Sequence, residues 1–361
     1  MISRVLFGMG HPAHFHLFRN TIYQLRNDGV AVKIVVTEKD ILERLLKAEN
    51  FEYIKIAGRK KNEGVTDKII KLAKSTIELI RIVREFKPDL LIGSLSQLSY
   101  AGKLSKIPAL FFGEDDITYT WMQCFVTYPF VNYIVAPDKT NVGIFRKKKI
   151  SYPGYQKLAY LHPEVFQPDA ALIPEIDTKE TYTIIRLVSL TAYHDVNVGG
   201  IGNELLDQII CKLSKYGKVY ITSEKKLPEH LMKYSLPVKS INIHHALAFA
   251  SLFIGDSQSM CVEAAMLGVP SLKFNDFAGR ISILEDLEKK YQLSCGFKTN
   301  QGQKLLSKVD EIFTTKDLKD IYQERRRNML NDKINVTSFY VWLIKNYPDS
   351  IHQYKSAQYR F

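Results

Sequence analysis

At 361 residues the chain is about twice the usual single-domain length, and its 46% hydrophobic and 24% charged residues exclude a disordered or low-complexity protein. No apolar run approaches the roughly 18 residues that span a bilayer, and the N-terminal run meets a Gly/His/Pro turn too early for a signal peptide, so the chain is predicted to be cytoplasmic. The formal charge of +12 is lopsided: residues 1–160 hold 25 Lys and Arg against 15 Asp and Glu, a net of +10, whereas residues 161–361 hold 25 against 23.

Short β-branched and aromatic runs alternate with segments of helical period, the pattern of parallel sheets built from βαβ units. In the first half, strands are predicted at 4–8, 30–37, 53–56, 90–92, 109–112 and 133–136, with helices near 14–28, 39–48, 65–86 and 97–104. Turn residues in Ile150-Ser151-Tyr152-Pro153-Gly154-Tyr155 close that series. A second series has strands at 181–190, 218–222, 252–254 and 271–274 and helices at 204–216, 246–250, 259–267 and 281–291. The expected fold class is therefore α/β, with two Rossmann-like domains at 1–160 and 161–330. A last helix at 336–345, within 331–361, is expected to cross back to the first domain. No internal repeat is visible.

Much of the basic excess lies in Arg59, Lys60, Lys61, Lys68, Lys71, Lys74, Arg81 and Arg84, with a second knot at Arg146 to Lys149. Such a face suits an anionic membrane, a pyrophosphate-bearing acceptor or nucleic acid, against the plainer reading of a solvated helix face. No zinc spacing, helix-turn-helix signal or aromatic RNA-binding motif accompanies it, which argues against nucleic acid. The four cysteines, Cys124, Cys211, Cys261 and Cys295, are widely spaced and read as reduced core residues.

The segment from Gly255 to Pro270 carries the strongest chemical signal. Phe253-Ile254-Gly255 ends a strand, Asp256-Ser257-Gln258-Ser259 forms a polar turn, and a helix follows that Gly268 and Pro270 close. The helix N-terminus favours an anion such as a pyrophosphate. Glu263, one turn inward, is the one charge in Ser259 to Val269 and is placed to accept bonds from a ribose diol. The plainer alternative is a capped helix with Glu263 on a wet face.

Further candidates follow other strand ends, where open α/β sheets hold their ligands. His11, with His14 behind it, is a candidate general base, against a reading as turn histidines. In Glu114-Asp115-Asp116, Asp115 and Asp116 can supply a base or an acceptor contact; adjacent carboxylates are a weak metal signal, and no metal is expected. His194 is placed to donate to a diphosphate with Asp195 beside it, and Gly199-Gly200-Ile201-Gly202 permits close backbone approach without being a dinucleotide fingerprint. His244 and His245 can line a base pocket, with His245 the one assigned to the site.

The string Asp256-Ser257-x-x-x-x-x-Glu263-Ala264-x-x-Leu267-Gly268-x-Pro270 resembles the nucleotide-binding motif of non-hydrolysing UDP-N-acetylglucosamine 2-epimerases and of GT-B glycosyltransferases. It is closer still to the GT-B-like family called domain of unknown function 354. That resemblance extends to Gly10-His11-Pro12-Ala13-His14, to Tyr152-Pro153-Gly154-Tyr155-Gln156-Lys157 and to Arg186-Leu187-Val188-Ser189. It implies a GT-B fold, two Rossmann-like domains with parallel sheets facing a central cleft. It also implies ribose binding by Glu263, phosphate contact by Ser257 and Ser259, and donor-sugar contacts by Asn275 and Asp276.

The expected function is a metal-independent glycosyltransferase. It would move a sugar from a nucleotide diphosphate donor, UDP-linked and bound as substrate with no cofactor, to a carbohydrate or lipid-linked hydroxyl acceptor in surface polysaccharide or glycolipid synthesis. Peripheral contact with the inner face of the membrane is part of that expectation. The first alternative is a nucleotide-sugar 2-epimerase, although Leu91-Ile92-Gly93-Ser94-Leu95-Ser96 lacks the His-Gly-Asp string associated with epimerases. The second is a non-catalytic basic binding protein.

Overall fold

The computed structural model describes residues 1–37, 40–58, 64–188, 199–224, 226–276, 278–279 and 281–356. The chain divides into two compact units, Met1–Val165 with Lys333–Phe361, and Phe166–Asp332. The ranges expected from turn residues, 1–160 and 161–330, end a few residues before these boundaries.

In the first unit the elements run β1 (Arg4–Met9), α1 (Pro12–Asn27), β2 (Ala31–Thr37), α2 (Asp40–Ala48), β3 (Ile54–Ile56), α3 (Val65–Phe86), β4 (Leu90–Gly93) and α4 (Ser96–Ser105). They continue with β5 (Ala109–Phe112), α5 (Ile117–Thr127), β6 (Tyr133–Pro137), β7 (Lys149–Tyr152) and α6 (Leu158–Leu161). The second unit holds β8 (Tyr182–Leu187), α7 (Asn203–Leu213), β9 (Lys218–Ser223), α8 (Ile243–Phe249), β10 (Leu252–Gly255), α9 (Gln258–Met266) and β11 (Ser271–Phe274). It ends with α10 (Ser282–Lys289), β12 (Ser294–Phe297), α11 (Gly302–Thr314) and α12 (Leu318–Asn331), after which α13 (Val336–Lys345) and α14 (Asp349–Lys355) complete the first unit.

Both sheets are parallel throughout, in the orders β3-β2-β1-β4-β5-β6-β7 and β12-β11-β10-β8-β9. Parallel strands need helical crossovers that cover both faces, so their side chains are apolar almost without alternation: β4, β5, β10 and β11 are buried at every position. In each sheet the strand order reverses at one place, between β1 and β4 and between β8 and β10. There the chain leaves neighbouring strands in opposite directions and opens a crevice beyond their carboxyl ends.

Helix α13 packs on α1 and α6. Its Tyr340 is fully buried, its ring edge-on to Phe112 at 4.7 Å and its hydroxyl 2.7 Å from that of Tyr152. Several elements differ from the sequence expectation. Strand β7 takes up part of the segment read as a closing turn, and β12, α11 and α12 were not anticipated. Helix α5 also escapes the periodicity argument, because it carries no charged residue and leaves apolar side chains on its outer face.

Candidate functional site

In the second unit the crevice is built around Asp256. The residue follows β10, is only 4% exposed, and its Oδ1 accepts the amide of Val188, just beyond β8, at 2.8 Å. Its backbone carbonyl accepts from Asn275 Nδ2 at 3.0 Å, which joins the end of β11 to the same point. Burial raises the Asp256 carboxyl to about 6, against the pull of donated backbone hydrogen bonds and the Arg186 charge. Asp276 does similar work one loop further on. Its Oδ2 accepts the Gly199 amide at 3.0 Å, and its Oδ1 accepts from Thr299 Oγ1 at 2.7 Å and Thr299 N at 3.2 Å. Gly199 is needed there, because a Cβ would stand 2.8 Å from Thr299 Cγ2. Asp256, Asn275 and Asp276, expected to touch the donor, are thus tied to the protein's own backbone and hydroxyls; they hold the strand-end loops in register.

Ser257 is the N-cap of α9, and its Oγ accepts from Met260 N at 3.4 Å. Gln258 and Ser259 occupy the first turn and are half-buried. Their amides belong to the set that helix geometry leaves without an intrahelical acceptor, so the turn presents donors and the positive dipole end together. Gly268 closes the helix at φ 72°, the left-handed conformation of a C-terminal glycine, and a Cβ there would lie 2.6 Å from Gln323 Nε2.

Glu263 is 6% exposed, and its Oε2 lies 3.5 Å from Nε2 of the buried His244 on α8. A carboxylate in an otherwise apolar helix requires such a partner, and the wet-face alternative is set aside. The histidine beside Glu263 is His244, whereas His245 was the one assigned to the site. His245 instead accepts the Asp169 amide through Nδ1 at 3.0 Å and lies 4.9 Å from the Phe166 ring. Neighbours in a helix point about 100° apart, so only one of the pair can face α9. His194 and Asp195 lie outside the described residues.

Lys273 of β11 escaped the sequence reading. It is among the largest fully buried side chains, and burial lowers its ammonium to about 8 while the nearby Cys261, Glu288 and Glu285 act to raise it. A lone cation inside Ser271-Leu272-Lys273-Phe274 was the available signal. Cys261 beside it is pushed up to about 12 by burial, which fits a reduced, inert core thiol.

In the first unit the crevice between β1 and β4 is filled by packing. A Cβ on Gly10 would lie 2.5 Å from Leu95 Cδ2, and one on Gly93 would lie 2.2 Å from the Gly8 carbonyl oxygen. His11 is the N-cap of α1, and its Nδ1 accepts from Ala13 N at 3.2 Å. His14 Nδ1 accepts from Gly10 N at 3.1 Å. With Nδ1 accepting an amide, each neutral ring carries its proton on Nε2, which is then a donor. That tautomer suits an orienting or acidic group and is the wrong one for the general base first assigned to His11 and His14. Asp116 is buried and its Oδ1 accepts from Asn141 N at 2.8 Å, whereas Asp115 is exposed. Glu114 is ion-paired with the buried Lys157. Among the described residues, no group of three or more His, Cys, Asp or Glu side chains is arranged to hold a metal ion, and no helix is long and apolar enough to cross a membrane.

Solved structures of the same architecture are numerous. S. aureus MnaA in a co-structure with UDP aligns at a TM-score of 0.65 with 13% identity, covering 96% of this chain and 99% of that one. UDP-GlcNAc 2-epimerase from Methanocaldococcus jannaschii aligns at 0.63 with 14% identity, covering 91% and 100%. MurG from Acinetobacter baumannii aligns at 0.58 with 14% identity, covering 95% and 99%. At such identities the likeness establishes the fold, which is GT-B with two Rossmann-like α/β units. No functionally curated protein matches the chain in sequence. Residues 4–279 match the family described as protein of unknown function (DUF354), and the chain belongs to that family.

Proposed function

We propose that the protein is a metal-independent glycosyltransferase whose donor, a UDP-linked sugar, occupies the β8/β10 crevice of the second unit. The observation that carries this reading is Glu263, a buried carboxylate one turn inside a Ser-capped helix N-terminus at the reversal point of a parallel sheet, backed by His244. The first-turn amides and the hydroxyls of Ser257 and Ser259 suit the diphosphate, and Glu263 suits the ribose diol.

In the reaction the bond between the anomeric carbon and the diphosphate oxygen breaks, and its electron pair leaves with the diphosphate. The helix N-terminus stabilises that charge in place of a metal. The acceptor oxygen forms the new bond to the anomeric carbon, and its proton passes to a base. The acceptor we assign is a carbohydrate or lipid-linked hydroxyl in surface polysaccharide or glycolipid synthesis.

Titration calorimetry with UDP tests the donor half. Glu263→Ala is expected to weaken binding roughly 10- to 100-fold, the value of a charged hydrogen bond; unchanged affinity would remove the ribose assignment. Incubation with UDP-N-acetylglucosamine alone tests the rival epimerase reading. An epimerase changes the sugar without an acceptor, whereas the transferase leaves it intact.

A further inference from the structure

We propose that the outer face of α5, with the segments that flank it, is a docking surface for an anionic lipid bilayer. The proposal stands on the first unit alone and is independent of whether the second unit binds a nucleotide sugar. From Ile117 to Pro137 the sequence holds no charged residue. Buried apolar stretches of that kind are ordinary, yet here Trp121, Met122, Phe125, Val126 and Phe130 are all exposed, Trp121 by 53%. The inward side of the same helix buries Cys124 and Thr127, and Tyr128 just beyond it joins the core, so the outward residues form a second apolar face with a different destination.

Cations border that face on two sides. On one side Tyr100 of α4 packs on Phe130 at 5.0 Å, and one turn further on α4 presents the exposed Leu104 between Lys103 and Lys106. On the other, the short 3-10 segment Gly143–Lys148 is pinned to the end of α5 by Lys148, whose Nζ donates to the carbonyls of Tyr128, Pro129 and Val131 at 2.8 to 2.9 Å. Phe145 packs edge-on against Phe125 at 5.6 Å and Tyr128 at 5.4 Å. This fixes Ile144, 75% exposed, and the exposed Arg146 and Lys147 beside the apolar residues.

Between Ser94 and Pro163 the only carboxylates are Glu114, Asp115, Asp116 and Asp138, of which Glu114 and Asp116 are engaged with Lys157 and the Asn141 amide. An apolar and aromatic face rimmed by Lys and Arg is the composition of an interfacial helix. Its rings enter the headgroup boundary while the cations meet anionic phosphates. The rival basic surface, α3, exposes Ile69, Ile70 and Ile77, but Asp67 and Glu85 are exposed among its cations and it carries no aromatic residue on that face.

Co-sedimentation of the full chain with vesicles tests the proposal. Binding to vesicles of 70% phosphatidylcholine and 30% phosphatidylglycerol is expected to exceed binding to pure phosphatidylcholine, and to fall in 0.5 M salt. Trp121→Ser with Phe125→Ser, and separately Arg146→Glu with Lys147→Glu, are each expected to cut that binding roughly tenfold or more. Ile69→Ser with Ile70→Ser is expected to leave it unchanged. Thermal melting establishes that each variant is folded, and the charge variant keeps the test decisive if the aromatic variant is not. Equal binding to neutral vesicles, binding lost only in the α3 variant, or no vesicle binding with α5-dependent self-association would each overturn the proposal, the last in favour of a second copy of this chain.

Discussion

The two crevices of the molecule arise from the same reversal of strand order and are finished in opposite ways. Between β1 and β4 the backbone closes up: Gly8, Gly10 and Gly93 admit Leu95 and Leu98 so closely that no Cβ fits. Between β8 and β10 the strands are bridged by the buried carboxylate of Asp256, with Asn275 and Asp276 continuing the network. Apolar packing is indifferent to charge and leaves nothing to exchange with a ligand. A polar bridge keeps a set of donors oriented at the strand ends, at the cost of a carboxyl that resists ionising. The same topology therefore yields one crevice that is mainly scaffold and another suited to an anion.

That contrast can be broken experimentally. Gly93→Ala carries the largest expected effect. Its Cβ would collide with the Gly8 carbonyl at a φ of 154°, and a loss of about 3–5 kcal/mol by urea unfolding is expected. A near-neutral result would show that the first crevice is not closed by packing. Next comes the pH dependence of Asp256. Its carboxyl titrates at about 6 in the folded chain against 3.8 unfolded, so the folded state favours the protonated form. That contribution is fully present below about pH 4 and is lost as pH rises through 6, on the order of 3 kcal/mol by linkage. Denaturant unfolding from pH 4 to 6.5 should show this decline, and Asp256→Asn should flatten it; parallel profiles for the two proteins would contradict the assignment. Ser257→Ala is the smallest, about 1 kcal/mol for loss of the α9 cap. If its effect on UDP affinity is larger than its effect on stability, the hydroxyl contacts the ligand as well as the helix.

Strand positions were legible because strands in parallel sheets are short apolar runs between turn residues: β5, β11, α3 and α13 fall where periodicity put them. What stayed hidden follows from the same physics. β12 is four residues long and contains Gly296, and α5 has an apolar face turned outward, so neither produces a recognisable period. At the site, the string from Asp256 to Gly268 announced a Ser-capped helix N-terminus because caps and dipoles are local properties. Partners are not local. That Glu263 would meet His244 rather than His245, that Asp256 would bond Val188, and that the imidazoles of His11 and His14 would accept amides through Nδ1 all depend on which loops meet at the strand ends.

The first unit is made from two separate stretches of chain, while the second is continuous. During synthesis residues 166–332 are all made before the first unit is complete. The earlier residues must wait, since Phe112 and Tyr152 gain their partner Tyr340 only when α13 has been made. The half of the molecule translated first is thus the half finished last, and for that interval its sheet exposes an aromatic surface to whatever else is in reach.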